Sequence, residues 1–253
     1  MCNDKGGLKM KINGKAVPWL FGESILDAAN RAGVFIPSLC CDSTFLNKDS
    51  CCRLCIVQVK MGDKVSLMPA CATETEAEME INTDSESIHR IRKMLLQLIY
   101  AEAPENPTIM ELMKKCGVKP DTRISNKGGR DCVLCRRCIN ACHYWVKGAI
   151  ESMGRGVTKR IDTPYGKPTE DCLGCASCEL ICPIHSIKSE DYNGKRKIWN
   201  NEFELLYCEE CGALITTKEN FFDGNYDDAP ILCHTCSEEY RKGHRKNEEL
   251  YCY

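Results

Sequence analysis

Polar and apolar residues alternate along 8–20, LKMKINGKAVPWL, in two short runs broken by Asn13-Gly14. Successive side chains of a strand point to opposite faces, and Asn-Gly supplies the positive-φ pair of a two-residue hairpin. A β-hairpin is therefore predicted here. The period then changes. In GESILDAANRAGVFIP the apolar positions Ile25, Leu26, Ala28, Ala29 and Ala32 recur at helical spacing. Ser24 stands at the N-cap, and Gly33 and Pro37 mark the stop. Short strands are predicted at Ile56–Lys60 and near Val65–Met68. Residues 86–103, ESIHRIRKMLLQLIYAEA, place Ile88, Ile91, Leu95, Leu98 and Ile99 on one helical stripe, and PENPTIMELMKKCGVKPDTRI continues as a helical linker broken by prolines. No apolar run reaches the ~18 residues of a membrane-spanning helix. The end of the chain, SEEYRKGHRKNEELYCY, is charged and helix-like, suited to solvent or a partner surface.

Length and charge narrow the class. The 253 residues suffice for one to three small domains, and 43% hydrophobic with 28% charged residues is ordinary for a globular protein. A net charge of −2 and a pI near 6.2 argue against a nucleic-acid-binding protein, which is usually basic. The start, MCNDKGGLKMKING, has no apolar signal core, which points to the cytoplasm. The 21 cysteines, about 8% of the chain, change the picture. In a small secreted protein they would suggest disulfides. In a chain of this length with C-x2-C groups and no signal core, they suggest metal. Sixteen fall into four groups, leaving Cys2, Cys41, Cys51, Cys116 and Cys252.

Two groups repeat one spacing. DCVLCRRCINAC carries Cys132, Cys135, Cys138 and Cys142, and DCLGCASCELICP carries Cys172, Cys175, Cys178 and Cys182, each as C-x2-C-x2-C-x3-C. This is the bacterial two-cluster ferredoxin run, in which the fourth Cys of each run ligates the other cluster. Three thiolates at two-residue intervals can wrap one face of a cubane, and the fourth points away. The pattern assigns Cys132, Cys135, Cys138 and Cys182 to one [4Fe–4S] cluster, and Cys172, Cys175, Cys178 and Cys142 to a second. His143 stands where Pro is common after the run. It and His185 read as surface or half-buried residues that could hydrogen-bond near a cluster. Farther on, Cys208, Cys211, Cys233 and Cys236 form C-x2-C…C-x2-C with 21 residues between the pairs. Two such knuckles make a tetrahedral four-sulfur site that suits zinc, and the rival occupants are a further iron–sulfur cluster or a mononuclear iron.

The remaining group is Cys40, Cys52, Cys55 and Cys71, spaced C-x11-C-x2-C-x15-C after the predicted hairpin and helix. Together these resemble the plant-type [2Fe–2S] ferredoxin domain, a β-grasp fold. The longer spacing resembles the N-terminal domain of the iron–sulfur subunits of complex I and of NAD-linked and electron-bifurcating hydrogenases. PSLC, CRLCIVQV and PACAT carry that resemblance, as do GAIESMGRG and TPYGKPTEDCLGCASCELICP later in the chain. It implies that the four cysteines hold one [2Fe–2S] cluster. Cys41 could replace Cys40, and Cys51 could replace Cys52. The family phrase favours Cys40, and only Cys52 makes C-x2-C with Cys55. The chain departs from the family at 101–120. The His and three Cys that usually hold a further [4Fe–4S] cluster are absent, and the segment offers only Cys116, which reads as an ordinary helix-face residue. His89 has no Cys group to join.

The expected architecture is α+β, with four parts. They are a β-grasp [2Fe–2S] ferredoxin-like domain over 1–85, a helical linker over 86–128, a two-cluster [4Fe–4S] domain over 129–200, and a four-cysteine, zinc-ribbon-like segment over 201–253. No glycine-rich nucleotide loop and no nucleophile constellation is visible. The resemblance implies a non-catalytic electron-transfer subunit of a multisubunit NAD(P)H- or ferredoxin-linked oxidoreductase, such as a hydrogenase, transhydrogenase or formate dehydrogenase. Its partners would be flavin- and NAD(P)-binding subunits and a ferredoxin, in a hetero-oligomer. A free-standing polyferredoxin and a zinc-binding structural protein are the competing readings.

Overall fold

The first alternating run folds as a hairpin in the computed structural model, which describes residues 9–41, 49–121, 123–124, 131–221 and 230–240. Strands β1 (Lys9–Ile12) and β2 (Lys15–Pro18) pair across Asn13 and Gly14, whose φ values of 50° and 79° form the left-handed pair of a tight turn. Helix α1 (Ile25–Arg31) starts where Ser24 Oγ accepts from the Asp27 amide, and it buries Ile25, Leu26, Ala28 and Ala29. Strands β3 (Ile56–Met61), β4 (Lys64–Pro69) and β5 (Glu80–Asn82) complete a five-stranded sheet ordered β2-β1-β5-β3-β4. Only β1 and β5 pair in parallel. At three residues, β5 is too short to show a period in the sequence, yet it holds the sheet centre. It sets Ile81 opposite Ile12 on one side and Val59 on the other, and all three are buried with α1 in one core.

Helices α2 (Glu86–Glu102) and α3 (Pro107–Lys115) form the linker and start at Ser85 and Asn106. The stripe on α2 differs from the expected one. Leu98 is 52% exposed, whereas Ile88, Arg92, Leu96 and Gln97 are buried. Tertiary hydrogen bonds make this possible. The Arg92 guanidinium donates to the carbonyls of Leu54 (3.0 Å), Thr83 (3.0 Å) and Ile56 (2.8 Å). Gln97 donates to Lys119 O and accepts from the Asp121 amide. Buried polar groups are tolerated when so satisfied. A second core joins Leu39 and Leu54 of the N-terminal cysteine loop to Leu96, Ile109, Leu112 and Met113 of the linker.

Beyond the linker come α4 (Arg137–Trp145), the hairpin of β6 (Glu151–Met153) and β7 (Arg160–Asp162), and the one-turn α5 (Ser177–Leu180). An antiparallel sheet follows, ordered β11-β10-β9-β8, built from β8 (Glu190–Tyr192), β9 (Lys195–Ile198), β10 (Asn201–Tyr207) and β11 (Leu214–Thr217). It runs through residue 200, where the sequence places a boundary, because Ile198 pairs with Asn201. Residues 234–240 are helical. Cys2, Cys252 and most of the charged tail lie outside the described residues. Among the described residues, no helix is long and apolar enough to cross a membrane.

Candidate metal centres

The two C-x2-C-x2-C-x3-C runs follow one backbone path. Leu134 and Gly174, two residues past the first Cys of each run, have φ of 52° and 67°. Arg136 and Ala176, two residues farther, have φ of 65° and 58°. Left-handed residues alternating with others turn amide N–H groups toward one concavity, the arrangement that holds anions. In each run the second left-handed residue is the N-cap of a helix, α4 or α5. The third Cys thus enters the first turn, and the fourth lies four residues on. Left-handed Leu134 and Arg136 are strained positions of the kind that gather at functional sites.

A cavity of about 350 Å³ is lined by Cys132, Cys135, Cys138 and Cys182. A narrower one is lined by Cys142, Cys172, Cys175 and Cys178. Each cavity therefore receives three cysteines from one run and the fourth from the other. Burial pushes the thiols of Cys135 and Cys178 up to about 12, and raises those of Cys138, Cys142 and Cys172. A bare thiolate is disfavoured there, and a cation is needed to hold four of them. Donors already face the sulfurs. The Ala149 amide lies 3.1 Å from Cys142 Sγ, the Ser186 amide 3.3 Å from Cys182 Sγ, and Trp199 Nε1 3.4 Å from Cys178 Sγ. Four soft ligands per cavity with hydrogen bonds to sulfur fit iron–sulfur clusters. His143 pairs with Glu151 at 3.4 Å, and His185 is exposed.

In the N-terminal domain Cys40, Cys55 and Cys71 are buried and Cys52 is half-buried. Cys40 hydrogen-bonds to Cys52 and Cys71, and Cys55 to Cys71. Donation from Cys40, aided by the Leu54 amide, holds the Cys52 thiol down to about 6, and the same contact drives Cys40 up. Ser50 Oγ lies 3.6 Å from Cys71 Sγ. Cys41 also reaches Cys71, whereas Cys51 is exposed, with its Sγ 3.8 Å from Asp49 O. The structure thus brings Cys40, Cys52, Cys55 and Cys71 together, three buried and one half-buried, a donor set that fits a [2Fe–2S] cluster.

The C-terminal sulfurs are closer still. All four, from Cys208, Cys211, Cys233 and Cys236, lie within 4.8 Å of one another, and the Cys211–Cys233 separation is 3.7 Å. A tetrahedral ion with metal–sulfur bonds of about 2.3 Å sets its ligands about 3.8 Å apart. A cubane, with four irons between its ligands, spreads them wider. The geometry therefore fits a single ion. Amides of Cys233 and Cys211 hold the Cys208 thiol down to about 6. Glu209 N donates to Ile231 O at 2.9 Å and ties the two knuckles together. His234 is exposed and pairs loosely with Glu238.

Each ferredoxin run has its own support. Behind the second, Phe203 and Thr217 pack so closely that a Cβ on Gly174 would come within 2.6 Å of the Phe203 ring. Thr217 Oγ1 donates to Leu173 O, and Arg196 Nη1 donates to Gly174 O at 3.3 Å. On the side of the first, Cys52, Leu39 and Leu54 share one apolar cluster with Val133, Cys182 and Ile184. Asn106 Nδ2 donates to Ile184 O at 2.9 Å, and Asn140 Nδ2 donates to Asp49 Oδ2 at 3.0 Å. Cys116 packs against this cluster and caps α3. Sequence reasoning missed Asp49, Arg92, Asn140, Arg196, Trp199, Phe203 and Thr217. Asn193-Gly194 between two alternating runs was the available signal for the supporting sheet.

Residues 7–86 match a family model described as a 2Fe-2S iron-sulfur cluster binding domain, and residues 131–186 match a 4Fe-4S dicluster domain. Subunit alpha of the NADPH-Fe(3+) oxidoreductase of Geobacter sulfurreducens is 26% identical over 233 residues, covering 81% of this chain and 27% of that protein. A subunit of the NADP-reducing hydrogenase of Solidesulfovibrio fructosivorans is 26% identical over 215 residues, covering 73% and 36%. The mitochondrial 78 kDa subunit of NADH-ubiquinone oxidoreductase of Neurospora crassa is 24% identical over 219 residues, covering 76% and 29%. The chain thus spans between 27% and 36% of the length of these relatives. It also shares its fold with a crystal structure of the NAD+-reducing [NiFe]-hydrogenase in the H2-reduced state. That match has a TM-score of 0.53 at 22% identity, over 62% of this chain and 74% of the other. The chain therefore contains a 2Fe-2S iron-sulfur cluster binding domain and a 4Fe-4S dicluster domain, and over most of its length it is similar to part of the subunits of NADPH-, NADP- and NADH-linked oxidoreductases.

Proposed function

We propose that the chain is the iron–sulfur relay of a multisubunit oxidoreductase, passing single electrons between a flavin- and NAD(P)-binding subunit and a further redox partner such as a ferredoxin. In this reading Cys40, Cys52, Cys55 and Cys71 hold a [2Fe–2S] cluster. Cys132, Cys135, Cys138 and Cys182 hold one [4Fe–4S] cluster, and Cys172, Cys175, Cys178 and Cys142 hold the other. Cys208, Cys211, Cys233 and Cys236 hold zinc, a closed and redox-inert site. The observation that carries the reading is the crossing of the runs, three cysteines from one and the fourth from the other around each cavity. When bound, thiolate-ligated clusters exchange one electron with little change of shape.

The chain's own residues bury the sulfurs, aim N–H groups at them and fix the sites relative to one another. The core shared by Cys52 and Cys182 supports the last role. It draws the N-terminal cysteine loop against the first ferredoxin loop, so the relay works without the His/Cys cluster missing from the linker. The organisation divides near 85, 128 and 200, with the β8–β11 sheet bridging the last division. The NAD(P)-linked partner follows from the relatives' names, which specify NADPH, NADP and NADH, and the flavin and ferredoxin partners follow from the family resemblance.

Metal analysis of anaerobically purified protein should give about ten irons and about one zinc per chain, with EPR of one [2Fe–2S] and two [4Fe–4S] clusters. About fourteen irons without zinc would overturn the C-terminal assignment. Unimpaired electron flow between the partner subunits in Cys52→Ser would overturn the relay.

A further inference from the structure

Trp199 occupies a position that disfavours its residue type. Strands β9 and β10 join through Trp199-Asn200, with φ of 52° and 59°. Two consecutive left-handed residues make the turn that Asn and Gly favour, and a bulky aromatic there is strained. The side chain has a second set of constraints. Its indole lines both cysteine cavities. It packs with Cys138, Ile139, Ile150, Cys178 and Ile198 in one apolar cluster. Its Nε1–H donates to Cys178 Sγ at 3.4 Å. A strained turn has thus placed an aromatic ring between two ligand sets, with its one donor aimed at a sulfur of the second.

We propose that Trp199 is a positioning residue that sets the redox difference between the two ferredoxin sites. Its N–H stabilises negative charge on Cys178 and raises the potential of the site built from Cys142, Cys172, Cys175 and Cys178. The inference rests on the relay reading above. Reduction of that site adds one electron and no proton, and part of the added charge resides on the thiolates. A fixed donor at one thiolate favours the more negative state. The other donors noted at these sulfurs, from Ala149 and Ser186, are backbone amides that substitution leaves in place. Ser177 Oγ lies 3.3 Å from Cys175 Sγ at the same site, and the indole N–H is the donor at Cys178 that a change of Trp199 removes.

The test is an anaerobic EPR redox titration of the full chain carrying Trp199→Phe or Trp199→Asn, with dithionite as reductant and iron counted per chain. Phe keeps a ring without the donor, and Asn suits the turn without the ring. Both should lower the reduced-to-oxidised ratio of one [4Fe–4S] cluster about tenfold at fixed poise, about 59 mV for one electron. The other cluster and the iron count should not move. Wild-type protein with ¹⁵N-indole label should show a nitrogen hyperfine coupling to the reduced cluster that is lost in Trp199→Phe. Unchanged potentials, equal shifts at both clusters, or no ¹⁵N coupling in the wild type would each overturn the inference. The labelled wild type decides the matter if a variant loses iron. Absence of two [4Fe–4S] signals from the wild type would instead sink the relay reading.

Discussion

Gly174→Ala asks whether the β8–β11 sheet fixes the second ferredoxin loop. Gly174 has φ of 67°, and an L-residue in the left-handed region costs about 1–2 kcal/mol. The new methyl would also sit 2.6 Å from Cγ and Cδ2 of Phe203 and 3.0 Å from Thr217 Cγ2. Phe203 is 3% exposed, so its ring has no solvent to turn into. Overpacking of this kind costs about 1–3 kcal/mol. The two effects together come to about 2–5 kcal/mol, a fall in Tm of about 4–20 °C for a chain of this size. Leu134→Ala is the control. Leu134 has the same backbone conformation and already carries a Cβ, so only the packing of a half-buried side chain is lost, about 1 kcal/mol. Removing the obstacle should help. In Gly174→Ala/Phe203→Leu the destabilisation should fall short of the sum of the single variants by about 1 kcal/mol or more. Thermal unfolding by circular dichroism, with iron counted per chain, measures wild type, Gly174→Ala, Phe203→Leu, the double variant and Leu134→Ala. Strict additivity, or a Gly174→Ala protein within about 0.5 kcal/mol of wild type, would refute the steric argument.

Three further outcomes follow from contacts at the other sites. Arg92→Leu leaves the carbonyls of Leu54, Thr83 and Ile56 without their donor. It should destabilise by about 3 kcal/mol or more. It should also bleach the [2Fe–2S] absorption before that of the [4Fe–4S] clusters, and simultaneous bleaching would place its effect elsewhere. If the four-cysteine centre holds zinc as proposed, Cys211→Ser should abolish zinc binding and speed amide exchange in β10 and β11 while iron stays near ten per chain, and a proportional loss of iron would identify the site as a cluster. Finally, Asp191 is held below its ordinary carboxylate value of 3.8 by bidentate donation from Arg196. A depressed folded value means that its contribution is complete above about 3.8 and is lost only as pH falls through the lower, folded value. Amide protection of the β8–β9 hairpin should therefore match between wild type and Asp191→Asn in its slope from pH 7 to about 5 and diverge below about 4. A divergence near neutrality would contradict the assignment.

Local chemistry was legible in the sequence, and long-range chemistry was not. The hairpin at Asn13-Gly14 and helix α1 are specified by neighbours within a few residues, so pattern and capping suffice. The cysteine groups are legible for the same reason, because each run fixes its own loop. β5 escapes notice because three residues carry no period, and its place at the sheet centre is decided by Ile12 and Val59, far off in sequence. On α2 the expected stripe includes Leu98, yet Arg92 and Gln97 take the buried face. Their partners are carbonyls and amides of distant loops that no helical wheel contains. The bond from Asn140 to Asp49 spans 91 positions. The β8–β11 sheet was within reach through Asn193-Gly194, but the Cys pairs around it dominate that part of the chain.

The differences between the two ferredoxin runs record what packs outside each. Both loops use left-handed residues at the same two positions, so the backbone alone does not account for the change from Leu134 to Gly174 or from Arg136 to Ala176. The surroundings do. Phe203 and Thr217 press against Gly174, where a Cβ would collide with the Phe203 ring, whereas Leu134 carries a side chain at the matching position. Arg136 faces the N-terminal cysteine loop and approaches Asp49 and Glu151 at 4.0 Å and 3.7 Å, while Ala176 is buried. One run is shaped to meet the [2Fe–2S] domain and the other to meet the C-terminal sheet. In the relay reading this asymmetry gives the repeat a direction. The site of Cys132, Cys135, Cys138 and Cys182 shares a core with Cys52, and the site of Cys142, Cys172, Cys175 and Cys178 is backed by Phe203, Thr217 and the sheet that carries the four-cysteine centre. An electron entering at the N-terminal domain would therefore meet the first site before the second, and Trp199, which lines both, stands at the step between them.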